Sequence, residues 1–410
     1  MTMEQTMETA AEEKAKTGFR VAFKNMAEKM AALPNNMQTV HTPFELCEKA
    51  NAKLEQFAGG TGSLMGKDVL SYTAEFIEVL IHSFGADRTR IDFKTDCEKK
   101  AKVVLEHPRF KGVNVKLVKS LLEEDRDMKK YDVIEMNPPY QAPKAKEHEG
   151  RGKCGKSLWE DFVAAALDGL KPNGFLIAIH PSRWRKPESD IGAAIRQKDL
   201  QYLEIHGVDD GMKNFGCFTR YDWYILQNRP YAGKTQILDQ KGEFQTCDLS
   251  KMPFIPNARI PEVMKLVAKD GEEKVELLWN CKYHTQTREQ DGTMQKEKQG
   301  KFKHPCVYSI SKTSVPTFWH ASFKEQYFGV PKAIFVTGRS TGMIEDPEGK
   351  YGLTQFASGI VDNPANIKNI VKAMRSQKFF EITDAMSTAT SGVDKDIIAT
   401  FRKDFWKDFI

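Results

Sequence analysis

Residues Asn137-Pro138-Pro139-Tyr140 put a side-chain amide, two residues of fixed φ and an aromatic ring in consecutive positions. An apolar, β-branched run, Asp132-Val133-Ile134, leads into them. Neither proline can donate a backbone hydrogen bond, so no regular strand or helix continues through the pair. Two readings are open. Asn and Pro are common turn residues, and the stretch can be a plain strand-ending turn. Alternatively, the rigid turn displays the Asn137 amide and the Tyr140 ring to a pocket for a flat, hydrogen-bonding substrate.

Other reactive side chains form no comparable group. His180 and His206 fall near strand ends, but neither an HxxxH pair nor a Cys/His cluster accompanies them, so no metal is expected. The seven cysteines are scattered without a CxxC pair, as free thiols in a reducing compartment would be. The N-terminal METAAEEKAKTGFRVAF lacks an apolar signal core, and no apolar run approaches the ~18 residues of a membrane span. A cytoplasmic location without a membrane partner is expected. The net charge of +5 says little by itself. Local basic clusters say more, at residues 143–156, 182–186 and 295–304, although a single charge run usually marks a solvated face.

The elements that must hold the corner are legible in outline. Residues 1–40 are polar and helix-forming, an N-terminal arm. Thr42-Pro43 reads as a capping hydroxyl and a first-turn proline before an amphipathic helix over 44–57. Strand-like runs at 67–72, 90–96, 113–119, 131–136, 174–181, 202–208 and 219–227 then alternate with helices at 74–85, 98–108, 157–170 and 190–197. Such alternation implies an open, doubly wound α/β sheet, whose ligands sit at the carboxyl ends of its strands. The proline corner stands at one such end. Past about 230 the alternation stops, and residues 235–410 read as a second, mixed domain.

The chain resembles the S-adenosylmethionine-dependent amino methyltransferases of DNA, the N6-adenine enzymes of the gamma motif order. Asn137-Pro138-Pro139-Tyr140 matches their [DNS]-PP-[YFW] signature, and HTPFELCEKAN (41–51) is similar to the TP segment that precedes the cofactor strand. KSLWEDFVAAALDGLKPNGFLIAIHPSRWR (156–185) and the aromatic NFGCFTRYDWYILQN (214–228) resemble later motifs. Residues 331–357 are similar to recognition segments of type II restriction–modification methylases. The family's cofactor loop usually carries an acid and then G-x-G after the first strand; here Ser71-Tyr72-Thr73-Ala74-Glu75-Phe76 has no glycine. The resemblance implies a seven-stranded mixed sheet of Rossmann-like type over 41–234 and a mixed α+β target-recognition domain over 235–410. It also implies transfer of a methyl group from S-adenosylmethionine to an adenine rotated out of double-stranded DNA.

On that reading Asn137, Pro138, Pro139 and Tyr140 are catalytic. The exocyclic amine of adenine is a poor nucleophile, and acceptors around its hydrogens localise the lone pair and stabilise the developing charge. Thr42, Pro43, Ser71, Tyr72, Asp96 and Asn137 are the cofactor candidates. Asp96 suits ribose hydroxyls and, nearly as well, a helix N-cap, and Asp92 is expected to face solvent or a helix. Phe215 or Phe218 would close the far side of the base, and Lys144 and Arg183 would meet phosphates. Trp159 and Trp184 read as packing residues, as do Phe318, Trp319 and Tyr327, although those three lie near Lys312 and Lys324 and are candidates for DNA contact. A separate restriction endonuclease is a candidate partner, and a monomer is expected. Two alternatives stay open: an RNA or protein amino methyltransferase with the same pocket, or a silent DNA-binding homologue, which the glycine-free turn would favour.

Overall fold

The computed structural model describes residues 41–118, 122, 130–141, 157–279, 282–336, 342–388, 392 and 394–410. The arm expected over 1–40 and the basic cluster at 143–156, Lys144 included, lie outside the described residues. Two compact units emerge, one reaching Trp184 and resuming over Asp190–Ser250, the other made of Arg185–Ser189 and Lys251–Ile410.

The first unit is built on one sheet. Its strands are β1 (Val69–Ser71), β2 (Ile91–Thr95), β3 (Asn114–Leu117), β4 (Tyr131–Met136), β5 (Leu170–Pro181), β6 (Lys198–His206), β7 (Tyr221–Pro230), β8 (Thr235–Leu238) and β9 (Phe244–Cys247). They lie in the order β3-β2-β1-β4-β5-β7-β6-β8-β9. The first five positions are parallel, and β7 enters antiparallel between β5 and β6. The expected seven strands are all present, but the sheet has nine. β8 pairs parallel to β6 and β9 closes the edge, so the first unit runs to Ser250 instead of stopping at 234. A βαβ pattern could not announce this, because the two added strands bring no helix with them.

The helices of this unit are α1 (Phe44–Phe57), α2 (Ala74–Phe84), α3 (Glu98–Glu106), α4 (Trp159–Gly169), α5 (Asp190–Gln197) and α6 (Val208–Phe215). Successive strand residues face opposite sides. Val69, Val133, Ile177 and Ile225 share a buried cluster with Cys47, Ala50 and Leu54 of α1 and with Phe76, Ile77 and Leu80 of α2. By the same alternation Glu135 points to this side. The opposite parity meets α4, where Tyr72 packs edge-on to Phe162 and His180 stacks on Trp159 at 4.4 Å. Gly85 ends α2 in the left-handed region at φ 65°, which glycine adopts without strain.

Two start signals act differently from expectation. The N-cap of α1 is Pro43 itself, with no side-chain cap bond, and the Thr42 hydroxyl is used elsewhere. The N-cap of α3 is Cys97, not Asp96. Asp92 is half-buried between Asn114, Tyr131 and Lys116, which bond to it at 2.6–2.9 Å. Residues 171–173, which separate the helix and strand expected at 157–170 and 174–181, are absorbed into β5, with Asn173 at φ 64°.

The second unit is mixed α+β. Its described strands form two four-stranded sheets. One contains Glu276–Trp279, Lys332–Val336, Met343–Asp346 and Ala357–Val361; the other contains Met294–Gln295, His304–Ile310, Pro316–Ala321 and Gly352–Leu353. The helix Pro364–Met374 buries Ile367, Ile370 and Val371 against Ala333, Phe335 and Ile360 of the first sheet. Lys332 and Asp346 are cross-strand partners, both fully buried, with Nζ 2.7 Å from Oδ2.

Candidate active site

The strand order reverses between β1 and β4, and in open α/β sheets the crevice at such a reversal is the usual ligand position. The chain brings its candidate residues to this point. Asn137 follows β4 directly, and Ser71 ends β1, where it is the register partner of Glu135. Asn137 is 1% exposed, and its Nδ2 donates to Thr42 Oγ1 at 3.1 Å. The TP segment and the proline corner are therefore in direct contact. Pro138 and Pro139 are buried, and the Tyr140 carbonyl accepts from Leu158 N at 3.1 Å, anchoring the exit of the corner to the start of α4.

The Tyr140 ring is half-buried, but its hydroxyl is enclosed and has no hydrogen-bond partner among the described residues. Burial, with Cys217, Tyr221 and Asp222 nearby, raises its pKa far above the ordinary phenol value, so it stays protonated. The 217–222 segment thus lies beside Tyr140. Gly211 allows this approach: an added Cβ there would collide with the Thr219 carbonyl. Phe215 and Phe218, from the same segment, differ in position. Phe215 packs edge-on to Tyr221 at 4.7 Å, whereas Phe218 is 63% exposed.

The turn after β1 replaces glycines with a hydroxyl scaffold. Ser71 Oγ donates to Thr73 O at 2.9 Å and accepts from Thr73 N at 3.3 Å. Tyr72 N donates to Glu135 O at 3.3 Å, which ties the turn to β4. Glu75, buried in the first turn of α2, pairs with His41 at 2.7 Å. Asp96 stands half-exposed past the end of β2. Near this crevice Thr73 Oγ1, both carboxyl oxygens of Glu135 and Asn51 Oδ1 of α1 are buried without a hydrogen-bond partner among the described residues. Orphaned buried polar atoms are rare and costly, and together they fit a polar ligand better than an apolar one.

Sequence reasoning missed Glu135, Asp222 and the His180 group. Glu135 is legible in hindsight from parity, two residues before Asn137 in an otherwise apolar strand. His180 lies next to the crevice on β5. Its Nδ1 contacts Pro181 O at 3.1 Å and its Nε2 contacts Tyr224 OH at 3.0 Å. Pro181 O can only accept, so Nδ1 carries the proton and Nε2 accepts from Tyr224. Burial lowers the His180 pKa to about 3, and the ring stays neutral. Trp184 Nε1 donates to Asp222 Oδ2 at 2.8 Å, so both Trp159 and Trp184 are packed inside the fold.

The basic cluster 182–186 does not act as one. Arg183 is exposed. Arg185 is fully buried and donates to Ile255 O and Asn257 Oδ1, both at 2.7 Å, while Lys186 pairs with Asp394 at 2.5 Å. Only Arg183 of these three can meet a phosphate. In the second unit Phe318 stacks on Tyr351 at 5.1 Å, Trp319 is half-buried, and the Tyr327 hydroxyl donates to Trp279 O. Among the described residues no group of three or more His, Cys, Asp or Glu is arranged to hold a metal, and no helix is long and apolar enough to cross a membrane.

Residues 42–218 match the family described as Eco57I restriction-modification methylase. A curated relative, an uncharacterized adenine-specific methylase of Mycoplasma pneumoniae, is 32% identical over 131 residues, which is 30% of this chain and 30% of the relative. The chain thus matches under a third of that relative's length. Among solved structures, a modification subunit of a putative type I restriction enzyme from Vibrio vulnificus is 14% identical, with 55% of this chain and 52% of that chain covered and a TM-score of 0.39. The type IIG restriction endonuclease BpuSI is 9% identical over 90% of this chain and 61% of its own, with a TM-score of 0.46. Likenesses this distant carry no weight for function. The matched stretch, residues 42–218, is similar to the Eco57I restriction-modification methylases and holds the TP segment and the proline corner in contact.

Proposed function

We propose that this chain is a DNA N6-adenine methyltransferase that takes its methyl group from S-adenosylmethionine and acts on an adenine rotated out of the duplex. The observation that carries the reading is the enclosed corner: Asn137 is fixed through Nδ2 by Thr42, between a double proline and the half-buried Tyr140 ring. With Nδ2 turned to Thr42, Oδ1 is directed the other way, as an acceptor for one amine hydrogen. The Pro138 carbonyl is the second acceptor. Both gain strength as positive charge develops on the nitrogen, and neither reorganises, because the prolines fix φ. Tyr140 offers its ring for stacking, worth roughly 1–3 kcal/mol per base in comparable sites. Phe218 is the better partner for the other face, since Phe215 is engaged with Tyr221.

The bound donor supplies an electrophilic methyl group on a sulfonium. Thr42, Pro43, the 71–73 turn and Asp96 line its side of the crevice. Arg183 would meet a phosphate, and residues 251–410 would read the target sequence. A separate nuclease partner fits the family.

The test is sequencing of DNA from cells expressing the full chain, with direct detection of modified adenines, alongside calorimetric titration with S-adenosylmethionine. N6-methyladenine in one sequence context is expected, lost with Asn137→Ala while DNA binding persists. Unchanged turnover in that variant would overturn the assignment. A protein that binds DNA but gives no heat with the donor would be the silent homologue.

A further inference from the structure

Glu135 has no role in the scheme above, yet it is the most exceptional ionisable group near the crevice. It is 0% exposed, and neither carboxyl oxygen has a well-formed hydrogen bond among the described residues. On β4 it shares a face with Val133, and Asn137 follows two positions on. Its register partners are Ser71 on β1 and Ile177 on β5. Ser71 cannot relieve it, because its hydroxyl is committed to Thr73. From α1 it is faced by Cys47 and Asn51, and the Asn51 amide nitrogen already donates to Cys47 O. From α2 the nearby charge is Glu75, itself paired with His41. No cation described near it answers Glu135.

An acid left this way is either neutral or waiting for a positive partner. A purely structural position on a buried strand would be filled at lower cost by a β-branched residue. The neighbouring orphans, Thr73 Oγ1 and Asn51 Oδ1, extend the polar surface in the same region. We propose that Glu135 receives the protonated amine at the amino-acid end of the methyl donor, just beneath Asn137; this rests on the methyltransferase reading. Burial holds its pKa well above the ordinary carboxyl value, and the proximity of the Asn51 amide, which bonds to Cys47 O instead, does not reverse this; a carboxyl buried without a cation is held as the neutral acid. Binding then breaks the carboxyl O–H bond. The proton leaves to solvent, the carboxylate remains against the ammonium, and the amine keeps its three hydrogens.

The experiment is calorimetry on the full chain with three probes: S-adenosylmethionine, S-adenosylhomocysteine, and 5′-methylthioadenosine, which lacks the amino-acid end. Titrations in buffers of different ionisation enthalpy report protons released. The wild type should bind the first two and release a proton with each. Glu135→Gln should lose at least tenfold in affinity for both, release none, and bind methylthioadenosine unchanged. Glu135→Leu, which removes the orphaned acid, should melt no lower than wild type and show the same selective loss, which excludes misfolding as the cause. Equal affinity of wild type and Glu135→Gln for S-adenosylhomocysteine would overturn the inference and leave the methyltransferase reading standing. So would a loss confined to S-adenosylmethionine, which would point to the sulfonium, or a loss shared by methylthioadenosine. A wild type that binds none of the three would overturn both.

Discussion

Asn137 Nδ2 reaches Thr42 Oγ1 across 95 positions of sequence, at 3.1 Å and out of contact with water. This bond joins the segment before α1 to the corner after β4, and it sets which way the amide faces.

Thr42→Val keeps the shape of the side chain and removes the acceptor. The Asn137 amide then loses this contact, and small displacements at a reacting centre cost on the order of a hundredfold in rate. A fall in kcat of about 10- to 100-fold is expected, with a stability loss of about 1–3 kcal/mol for the unsatisfied donor. Thr42→Ser should restore most of both. Steady-state methyl transfer and thermal melting, measured on the same preparations, check this.

The two candidate phenylalanines should separate cleanly. Phe218 is exposed, so Phe218→Ala should leave melting unchanged within about 0.5 kcal/mol. It should weaken DNA binding by about 1–3 kcal/mol if its ring stacks on the base. Phe215→Ala should instead lose about 1 kcal/mol or more of stability, from its contact with Tyr221. Equilibrium DNA titration and denaturant melts decide between them.

Glu204 predicts an acid transition. Lys49 of α1, Tyr202 and His206 hold its carboxylate at 2.6–3.1 Å. These contacts outweigh its burial and bring its pKa from 4.5 to about 2. A depressed carboxyl contributes stability above its unfolded pKa and loses it as pH falls. The loss should therefore run from about pH 4.5 down through about pH 2. It should amount to on the order of 2–3 kcal/mol. Glu204→Gln should flatten the stability curve in that window, as read from urea melts at stepped pH.

In the second unit, Lys332 Nζ donates to Tyr327 O, Val330 O and Asp346 Oδ2, and Asp346 also accepts from Lys350 N and Tyr351 N. Lys332→Met strands the buried carboxylate and should cost about 3–5 kcal/mol in thermal unfolding. Adding Asp346→Asn should recover part of that loss, because the charge is removed while the turn keeps an acceptor.

The sequence made the strand–helix alternation and the corner legible, because both are local: apolar runs of strand length, and a Pro-Pro pair that ends one. It did not reveal β8 and β9, whose pairing with β6 is a tertiary event with no helix to mark it. It suggested a cap for Thr42, since Ser or Thr before a helix usually caps, whereas the hydroxyl is taken by a partner 95 residues away. It grouped Arg183, Arg185 and Lys186 as one positive patch, although burial and Asp394 withdraw two of them. Glu135 was passed over because one acid in an apolar strand does not disturb the pattern that identifies the strand.

Arg185–Ser189 clusters with residues beyond Lys251 although both its flanks belong to the first unit. The chain therefore crosses between the units three times. Cutting after Ser250 would strip the Arg185 guanidinium of Ile255 O and Asn257 Oδ1. Replacing residues 251–410 would have to carry these five residues along with them.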